Sequence, residues 1–500
     1  MDDLSSRRRK LSLGAALLLL LLLALPRAAR IASSRAWAED EQFFAAAELV
    51  RRGAEPYRDF VHVNLPLLEQ MLAGAFALFG TTLHTAELFT ALFALLGTLA
   101  LARLSVAGAL LLATSALLFR YHVFEREVVY ASAGAIAWAL SPHAPIATRR
   151  GALAVGALLG FGVAVKISAG AALGAYLAWM LLYRRGGSLV AIVALLGALP
   201  FAAIYAFYRW RVGEAVDLQL FAFLLAKGTN APTLGAKLEL LRVHLEPLVW
   251  LALAWLVGAA RAWPGRGASC FALLWIGTEL VANVLLKTTI WPHNLLPLLF
   301  PLAYFAGRSL EAGIDALRRR GKPSLRGALG AGVALSGLVW YAFVGGARWT
   351  PPSSPEQRDP ARTLVHGFGG LLRSDLDAVV SAVDAQPRDM MFATSDWLPA
   401  LCGAEPLYRF WESHGVYREL ERAAKEGRLE AHLQEMRRRS FEQRLAETLP
   451  EYLPDLDRAM RVRSLRFLVS TNGEPLGPVV GLPPAPRTER YGPLVVEVLR

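Results

Sequence analysis

The stretch LVAIVALLGALPFAAIYAFY, residues 189–208, holds 20 consecutive residues without a charged side chain. An α-helix needs about 20 apolar residues to cross the hydrocarbon core of a bilayer, so this stretch predicts a membrane-spanning helix. Similar apolar runs recur along the first two thirds of the chain. They predict spans at 11–27, 84–103, 105–119, 128–141, 151–165, 167–182, 189–209, 246–260, 269–286, 293–308 and 327–346. The sequence therefore predicts an α-helical polytopic membrane protein with about eleven transmembrane helices.

The apolar composition changes near Thr350. Of the 500 residues 55% are hydrophobic, and the mean hydropathy is +0.37, whereas soluble domains hold about 45–50% apolar residues. After Thr350 the short apolar runs 390–394, 465–470 and 494–498 predict strands, and 415–447 predicts helix. We therefore expect a transmembrane domain at 1–349 and a soluble α/β domain at 350–500.

The net charge of +12 is explained better by a membrane than by nucleic acid. If the N-terminus is inside and the spans alternate, the Arg clusters at 7–9, 149–150, 184–185 and 318–320 all fall on the inner side. The later Arg clusters fall on the inner side only if the spans on either side of Lys166 are separate helices. The chain is then a multi-pass protein of the cell (inner) membrane with its C-terminal domain outside the cytoplasm.

The N-terminal region and the two cysteines bear on signal-peptide cleavage and on disulfide formation. Ala36-Trp37-Ala38 resembles a signal peptidase site, but Arg27 and Arg30 lie between it and the Leu-rich core, so we expect an uncleaved first helix. Cys270 falls in a predicted span and Cys402 in the soluble domain, so a disulfide framework is not indicated.

With this topology, unusual ionisable residues gather on the outer side. They are the acids Glu39, Asp40 and Glu41 in the first outer loop, Glu125, Arg126 and Glu127 in the second, and Lys166 and His293 at helix ends. Each has a plain alternative: the acidic triplet could cap a helix, Lys166 could snorkel to the interface, and His293 could be an interfacial histidine without a role.

Lys166 is the strongest of these signals because it lies between two apolar stretches and has no acidic neighbour in sequence. A lysine at membrane depth needs a partner, a water-filled cavity or an anionic ligand. The sequence leaves these three possibilities open, and we expect that removing the lysine affects use of a donor far more than folding. Carboxylates suit base chemistry and cations suit a phosphate. The set therefore predicts chemistry on a lipid-linked phosphate at the outer surface.

Several motifs then resemble the GT-C membrane glycosyltransferases. Asp40 and Glu41, followed by Phe43 and Phe44, form the acidic pair that comes after the first span in that superfamily. The Asn64–Gly80 stretch, Lys166 in a Gly-rich helix, and the His293–Pro301 stretch resemble the protein O-mannosyltransferase-like branch, which includes lipid A aminoarabinose transferases. Two departures concern substrate identity: Asn64 lies in a segment that is often Lys-Pro-Pro, and Asn294 replaces a common tyrosine.

The resemblance implies transfer of a sugar from a polyprenyl-phosphate donor to an extracytoplasmic acceptor, which is a lipid, a glycan or a protein. It implies Asp40 as general base, with Glu41 and Glu127 as further catalytic carboxylates. It also implies that Arg126, Lys166 and His293 hold the leaving phosphate, and we assign Arg35 and His62 to substrate binding as well.

Alternatives to this enzyme remain. A transporter or lipid flippase would explain Lys166 but not the acids in one outer loop, and the sequence has no repeat of the kind transporters often carry. A membrane-anchored assembly protein would place its function in the tail. No nucleotide loop or metal-ligand spacing occurs. No cofactor is therefore assigned, and a divalent metal ion is left open. The other partners expected are membrane lipids.

Overall fold

The structure is a computed structural model that describes most of the helical region and parts of the C-terminal third. The described residues are 35–36, 41–115, 117–118, 124–226, short pieces between 233 and 252, 267–287, 290, 292–318, 371–386, 389–393, 397–406, 411–436, 465–470, 474–479, 484–492 and 494–499. The predicted spans 11–27 and 327–346, most of 246–260, and the catalytic candidate Asp40 lie outside these residues.

The chain divides into two units. The first comprises Met1–Arg30, Thr90–Ile204 and Ala231–Pro351, and the second comprises Ile31–Phe89, Tyr205–Asn230 and Pro352–Arg500. The second unit therefore combines the C-terminal residues with two segments from the helical part of the sequence. The proposed domain boundary at residue 350 stays a prediction.

Helices occupy the described part of the first unit and follow the predicted spans closely. The helices that belong wholly or mainly to it are Leu83–Leu104, Val106–Ala113, Arg126–Ala139, Arg149–Val165, Gly170–Leu182, Gly187–Val212, Ala268–Glu279 and Leu296–Arg318. Their core is aromatic: Trp138, Trp179 and Trp275 are fully buried, and the Trp138 ring lies 5.4 Å from that of Phe271. Among the described residues the predicted spans are helical, except that the helix in the predicted span 105–119 ends at Ala113 and leaves Thr114 and Ser115 outside it.

Close packing in this unit depends on small residues. A Cβ atom at Gly307 in helix Leu296–Arg318 would overlap the backbone of Gly108 in helix Val106–Ala113. Small residues that let two backbones approach are typical of packing between membrane helices. Any larger side chain at Gly307 would force the two helices apart.

Three helices among the described residues are long and apolar enough to cross a membrane: Leu83–Leu104, Gly187–Val212 and Ala268–Leu285. Helix Leu83–Leu104 also exposes Leu88, Leu92 and Leu95 along one face, at the spacing of helical turns. A long exposed apolar face is expected where lipid replaces water as solvent. The total of about eleven spans stays a prediction.

The second unit contains helices Glu41–Arg51 and Leu67–Phe79, the helical segment that follows Ala215, and the C-terminal elements. A short antiparallel pair joins β1 (Arg35–Ala36) to β2 (Leu371–Leu372). Gly80 ends helix Leu67–Phe79 at a φ of 86°, a backbone conformation that favours glycine. Helix Glu41–Arg51 begins at the last acid of the Glu39-Asp40-Glu41 triplet.

The C-terminal residues form a five-stranded mixed sheet in the order β4-β3-β5-β7-β6. Its strands are β3 (Met390–Ala393), β4 (Glu405–Pro406), β5 (Leu465–Ser470), β6 (Arg487–Tyr491) and β7 (Leu494–Val498). Strands β3, β4 and β5 pair in parallel, whereas β7 pairs antiparallel with both β5 and β6. The three predicted strands match β3, β5 and β7. The further C-terminal helices are Arg373–Ala382, Trp397–Cys402, Trp411–Lys425, Leu429–Met436 and the short Leu476–Val479. The α/β expectation is thus confirmed for the described residues.

Glu48 joins helix Glu41–Arg51 to its surroundings in the second unit. Its carboxylate accepts hydrogen bonds from Arg51 Nε at 2.6 Å, Arg52 Nε at 2.7 Å and Thr81 Oγ1 at 2.5 Å. Arg52 Nη1 also donates to the carbonyl oxygen of Ala404 at 3.2 Å, which ties the helix to the C-terminal residues. Burial raises the pKa of Glu48, but the hydrogen bonds from Arg51, Thr81 and Arg52 outweigh it and leave the pKa below 4.5.

The lowered pKa of Glu48 makes the folding stability depend on pH. A carboxyl whose folded pKa is lowered stabilises the fold above its unfolded pKa, and this contribution is lost as the pH falls through the folded value. We expect the thermal unfolding midpoint of the wild type to drop below pH 4.5 more steeply than that of Glu48→Gln. Glu426→Gln, which alters an exposed pair with Arg428, should leave the pH profile unchanged. Parallel profiles for wild type and Glu48→Gln would refute this role.

Candidate active site

The first part of the site is the start of helix Arg126–Ala139. Glu125 has extended backbone and caps this helix, because its side chain accepts from the Glu127 N–H at 3.5 Å. Acids in the first turn are favoured by the positive end of the helix dipole. Glu125, Arg126 and Glu127 are nearly fully buried, with exposed fractions of 2%, 0% and 0%. Three adjacent charged residues are therefore enclosed within the first unit.

Lys166 lies at a break between two helices. Helix Arg149–Val165 ends there, because the Lys166 backbone is extended with φ −156° and ψ 128°. The 3₁₀ turn Ile167–Ala169 then leads into helix Gly170–Leu182. The two predicted spans on either side of Lys166 are therefore separate helices, as the parity of the charged loops requires.

The Lys166 ammonium pairs with a carboxylate. Its Nζ atom donates to Glu127 Oε1, although 39 residues separate the two positions. The structure thus supplies a partner, one of the three possibilities open for Lys166, and it opposes the expectation that removal of the lysine leaves folding intact. Breaking a buried ion pair on one side leaves the other charge uncompensated, which is costly.

The third part of the site is the 3₁₀ turn Pro292–Leu295, just before helix Leu296–Arg318. Asn294 Nδ2 donates to Glu127 Oε1 at 3.0 Å. The His293 ring lies 3.9 Å from Glu127 Oε1 through Nε2 and 4.0 Å from Glu125 Oε2 through Nδ1. Asn294, where the resembling branch commonly has tyrosine, is thus a hydrogen-bond donor to the central carboxylate.

These contacts converge on one carboxylate oxygen. Glu127 Oε1 contacts Lys166, His293 and Asn294, while its Oε2 is buried and accepts no hydrogen bond from the described residues. The side chains of Lys166 and His293 are each 16% exposed, whereas that of Glu127 is 1% exposed. The lysine and the histidine are therefore the more exposed members of this cluster.

Sequence reasoning missed a further buried carboxylate in the same unit. Glu279 lies in helix Ala268–Glu279 and is 1% exposed. Trp275 Nε1 donates to Glu279 Oε1 at 3.0 Å, and Asn283 Nδ2 donates to Oε2. The signal was available, because an acid inside a predicted span indicates a functional site by default.

The other candidate residues belong to the second unit. The Arg35 backbone pairs with Leu372 in the β1–β2 ladder, and Glu41 is the first residue of helix Glu41–Arg51. His62 is fully buried, with its Nε2 atom 3.5 Å from Glu69 Oε2. The roles assigned to these residues stay predictions. The structure brings Arg126, Glu127, Lys166 and His293 into one region of the first unit.

Possible metal ligands and the two cysteine thiols are the remaining reactive groups among the candidates. Within the described ranges, no group of three or more His, Cys, Asp or Glu side chains is arranged to hold a metal ion. Cys270 and Cys402 are free thiols, and burial raises the pKa of Cys402 to about 12, so this thiol stays protonated at neutral pH.

Comparison with known proteins gives similarity at the level of structure. No protein family and no curated protein matches this chain by sequence. The crystal structure of ArnT from Cupriavidus metallidurans in the apo state matches with a TM-score of 0.64 and 14% identity, covering 97% of this chain and 98% of ArnT. The same ArnT bound to undecaprenyl phosphate matches with a TM-score of 0.61, again at 14% identity and with the same coverage.

A weaker match is the cryo-EM structure of the arabinofuranosyltransferase AftD from Mycobacteria. Its TM-score is 0.47 at 15% identity, and it covers 99% of this chain but 40% of AftD. The fold assignment therefore rests on the two ArnT structures. ArnT is a lipid A aminoarabinose transferase of the GT-C type, so the resemblance inferred from the motifs is confirmed for the fold. The chain has the fold of ArnT, a GT-C glycosyltransferase, along nearly its whole length.

Proposed function

We propose that this protein is a membrane glycosyltransferase that moves a sugar from a polyprenyl-phosphate donor to an extracytoplasmic acceptor. The observation that carries the proposal is the buried cluster of Glu127, Lys166 and His293 in a chain with the ArnT fold. ArnT itself has been solved with undecaprenyl phosphate bound. A cationic group that borders apolar helices suits a ligand with a phosphate head and a long apolar tail.

The proposed reaction is a substitution at the anomeric carbon of the sugar. The acceptor oxygen attacks the anomeric carbon. The bond between this carbon and the phosphate oxygen breaks, and polyprenyl phosphate leaves. The phosphate gains negative charge as the bond breaks, so fixed cations near it lower the barrier. Lys166, Arg126 and His293 are proposed for this role, and Asp40 is proposed to take the proton from the acceptor hydroxyl.

The pairing of Lys166 with Glu127 adds a step to this proposal. In the structure the ammonium is held by Glu127, which keeps it from snorkelling toward water. An incoming phosphate then competes with Glu127 for Lys166, and Asn294 remains to stabilise the released carboxylate. Glu127 therefore serves as the internal counter-ion that keeps the site folded while no donor is bound.

The location of the chemistry follows from the charge pattern of the loops. If the Arg clusters lie on the inner side, as the charge pattern predicts, the start of helix Arg126–Ala139 and the C-terminal sheet lie on the outer side of the inner membrane. A donor on a polyprenyl carrier would enter this site sideways from the lipid. The acceptor is a lipid, a glycan or a protein of the cell envelope.

The purified protein in proteoliposomes should transfer sugar from undecaprenyl-phosphate-linked donors to an envelope lipid extract. Several donors should be supplied, including undecaprenyl-phosphate aminoarabinose and undecaprenyl-phosphate hexoses, and products are followed by mass spectrometry. A lipid flippase would instead move labelled donor between leaflets without forming a new glycosidic bond. Movement of the intact donor with no glycosylated product would overturn the proposal.

A further inference from the structure

Glu279 and Asn283 form a buried pair on consecutive turns of one helical element. Both carboxylate oxygens of Glu279 accept hydrogen bonds, from Trp275 and from Asn283. Among the described residues, no basic side chain lies within 4.0 Å of this carboxylate, in contrast to Glu127. The pair is therefore held by hydrogen bonds to neutral donors within its own helical element.

The Asn283 amide also reaches outside its own helix. Asn283 lies in the π-helical segment Leu280–Leu285 and is 2% exposed. Its Nδ2 atom lies 3.4 Å from the carbonyl oxygen of Ser168, in addition to its bond to Glu279. An amide nitrogen carries two hydrogens, so one Asn283 side chain can satisfy both acceptors at once. Short π-helical segments inside α-helices are frequent at functional sites.

Ser168 belongs to the 3₁₀ turn that follows Lys166. Residues Ile167–Ala169 form this turn directly after the break at Lys166. A turn this short has weak hydrogen-bond geometry of its own and depends on tertiary contacts. The hydrogen bond from Asn283 to the Ser168 carbonyl therefore fixes the position of this turn. It thereby also fixes the direction in which the Lys166 side chain leaves the backbone.

We infer that Glu279 and Asn283 are positioning residues for Lys166. Glu279 fixes the rotamer of Asn283, Asn283 holds the carbonyl of Ser168, and the turn places the Lys166 ammonium where the donor phosphate binds. This inference rests on the proposed function, because it assigns the pair to the same phosphate site. Buried polar networks that are satisfied in this way are rigid, which suits a group that must be held in one place.

The test measures undecaprenyl phosphate binding by the full-length protein in detergent, with sugar transfer as a second readout. Asn283→Ala should weaken binding about fivefold, the effect of losing one hydrogen bond, and should raise the donor KM more than it lowers kcat. Glu279→Gln, which is nearly isosteric, should also weaken binding. It tests the same inference if Asn283→Ala does not fold. Thr278→Val is the matched control, because the Thr278 hydroxyl bonds only to Leu274 and Trp275 carbonyls of its own helix within the described chain. Its binding should equal that of the wild type.

A double variant separates positioning from a general loss of stability. In a Lys166→Gln background, Asn283→Ala should add no further loss of undecaprenyl phosphate binding, because the group that it positions is already gone. A full additional fivefold loss would overturn the inference. If wild type does not bind undecaprenyl phosphate, or if Lys166→Gln binds as well as wild type, the proposed phosphate site fails and the inference fails with it. If those two behave as expected while Asn283→Ala and Glu279→Gln bind like wild type, only the inference is wrong.

Discussion

Replacing Asp40 by asparagine should reduce sugar transfer by at least about 100-fold, because a general base contributes about 10²–10⁴-fold to the rate. Asp40 is the first acid of the Asp40-Glu41 pair and directly precedes helix Glu41–Arg51. At the start of a helix the dipole favours the carboxylate form, which is the form that accepts a proton. Asparagine is nearly isosteric with aspartate, so expression and thermal stability should barely change.

Glu39→Gln is the matched control for this substitution. Glu39 is the acid immediately before Asp40 and shares the same approach to the helix, but it lies outside the Asp-Glu motif. Its loss should have a small effect on turnover. Equal losses for the two variants would mean that the acids act as a helix cap or a general negative field. Near-wild-type transfer in Asp40→Asn would move the base assignment to Glu41 or Glu127.

Replacing Lys166 by methionine should abolish use of the donor and also destabilise the protein. The substitution leaves Glu127, which is fully buried, without its cation. Removing one partner of a buried ion pair costs about 3–5 kcal/mol of folding free energy. The midpoint of thermal unfolding in detergent should therefore fall, and sugar transfer from the polyprenyl-phosphate donor should be lost.

The double variant Lys166→Met with Glu127→Gln separates the two effects. It removes both charges of the pair and keeps the side-chain volumes close to the originals, so the unfolding midpoint should return toward the wild-type value. Transfer should stay lost, because the cation for the phosphate is absent. Recovered transfer in the double variant would show that Lys166 acts only as a structural partner of Glu127.

Local patterns account for the parts of the fold that the sequence predicts well. The apolar run at 189–208 lies within helix Gly187–Val212, and the strand predicted at 465–470 is β5 (Leu465–Ser470). In both cases neighbouring residues carry the signal. The helix is indicated by the length and apolar character of its run, and the strand by its β-branched and aromatic residues. Helix and strand boundaries there could be placed within a few residues.

Contacts between distant residues could not be predicted in the same way. Glu127 and Lys166 are 39 positions apart, and only the packing of their helices brings the two side chains together. The sequence could indicate that Lys166 needs a partner but not which acid provides it. Likewise, β1 at Arg35–Ala36 pairs with β2 at Leu371–Leu372, more than 300 residues later, and two-residue strands have no periodicity to detect.

Glu279 is a different case, because its signal was present in the sequence. It is an acid within the predicted span 269–286, the same kind of anomaly that singled out Lys166. Unlike the loop acids, Glu279 lies within a helix and far from them in sequence. Its hydrogen bonds to Trp275 and Asn283, four residues away on either side, explain how a helix tolerates it.

The most direct test of the account is the stoichiometry of the reaction in proteoliposomes. Purified protein is supplied with an undecaprenyl-phosphate-linked sugar and an envelope lipid extract, and both undecaprenyl phosphate and glycosylated product are quantified by mass spectrometry. The account predicts one undecaprenyl phosphate released for each sugar transferred, with no release when the acceptor extract is omitted and none with Asp40→Asn. Donor that stays intact in the presence of every acceptor fraction, or that is released equally by Asp40→Asn and wild type, would contradict it.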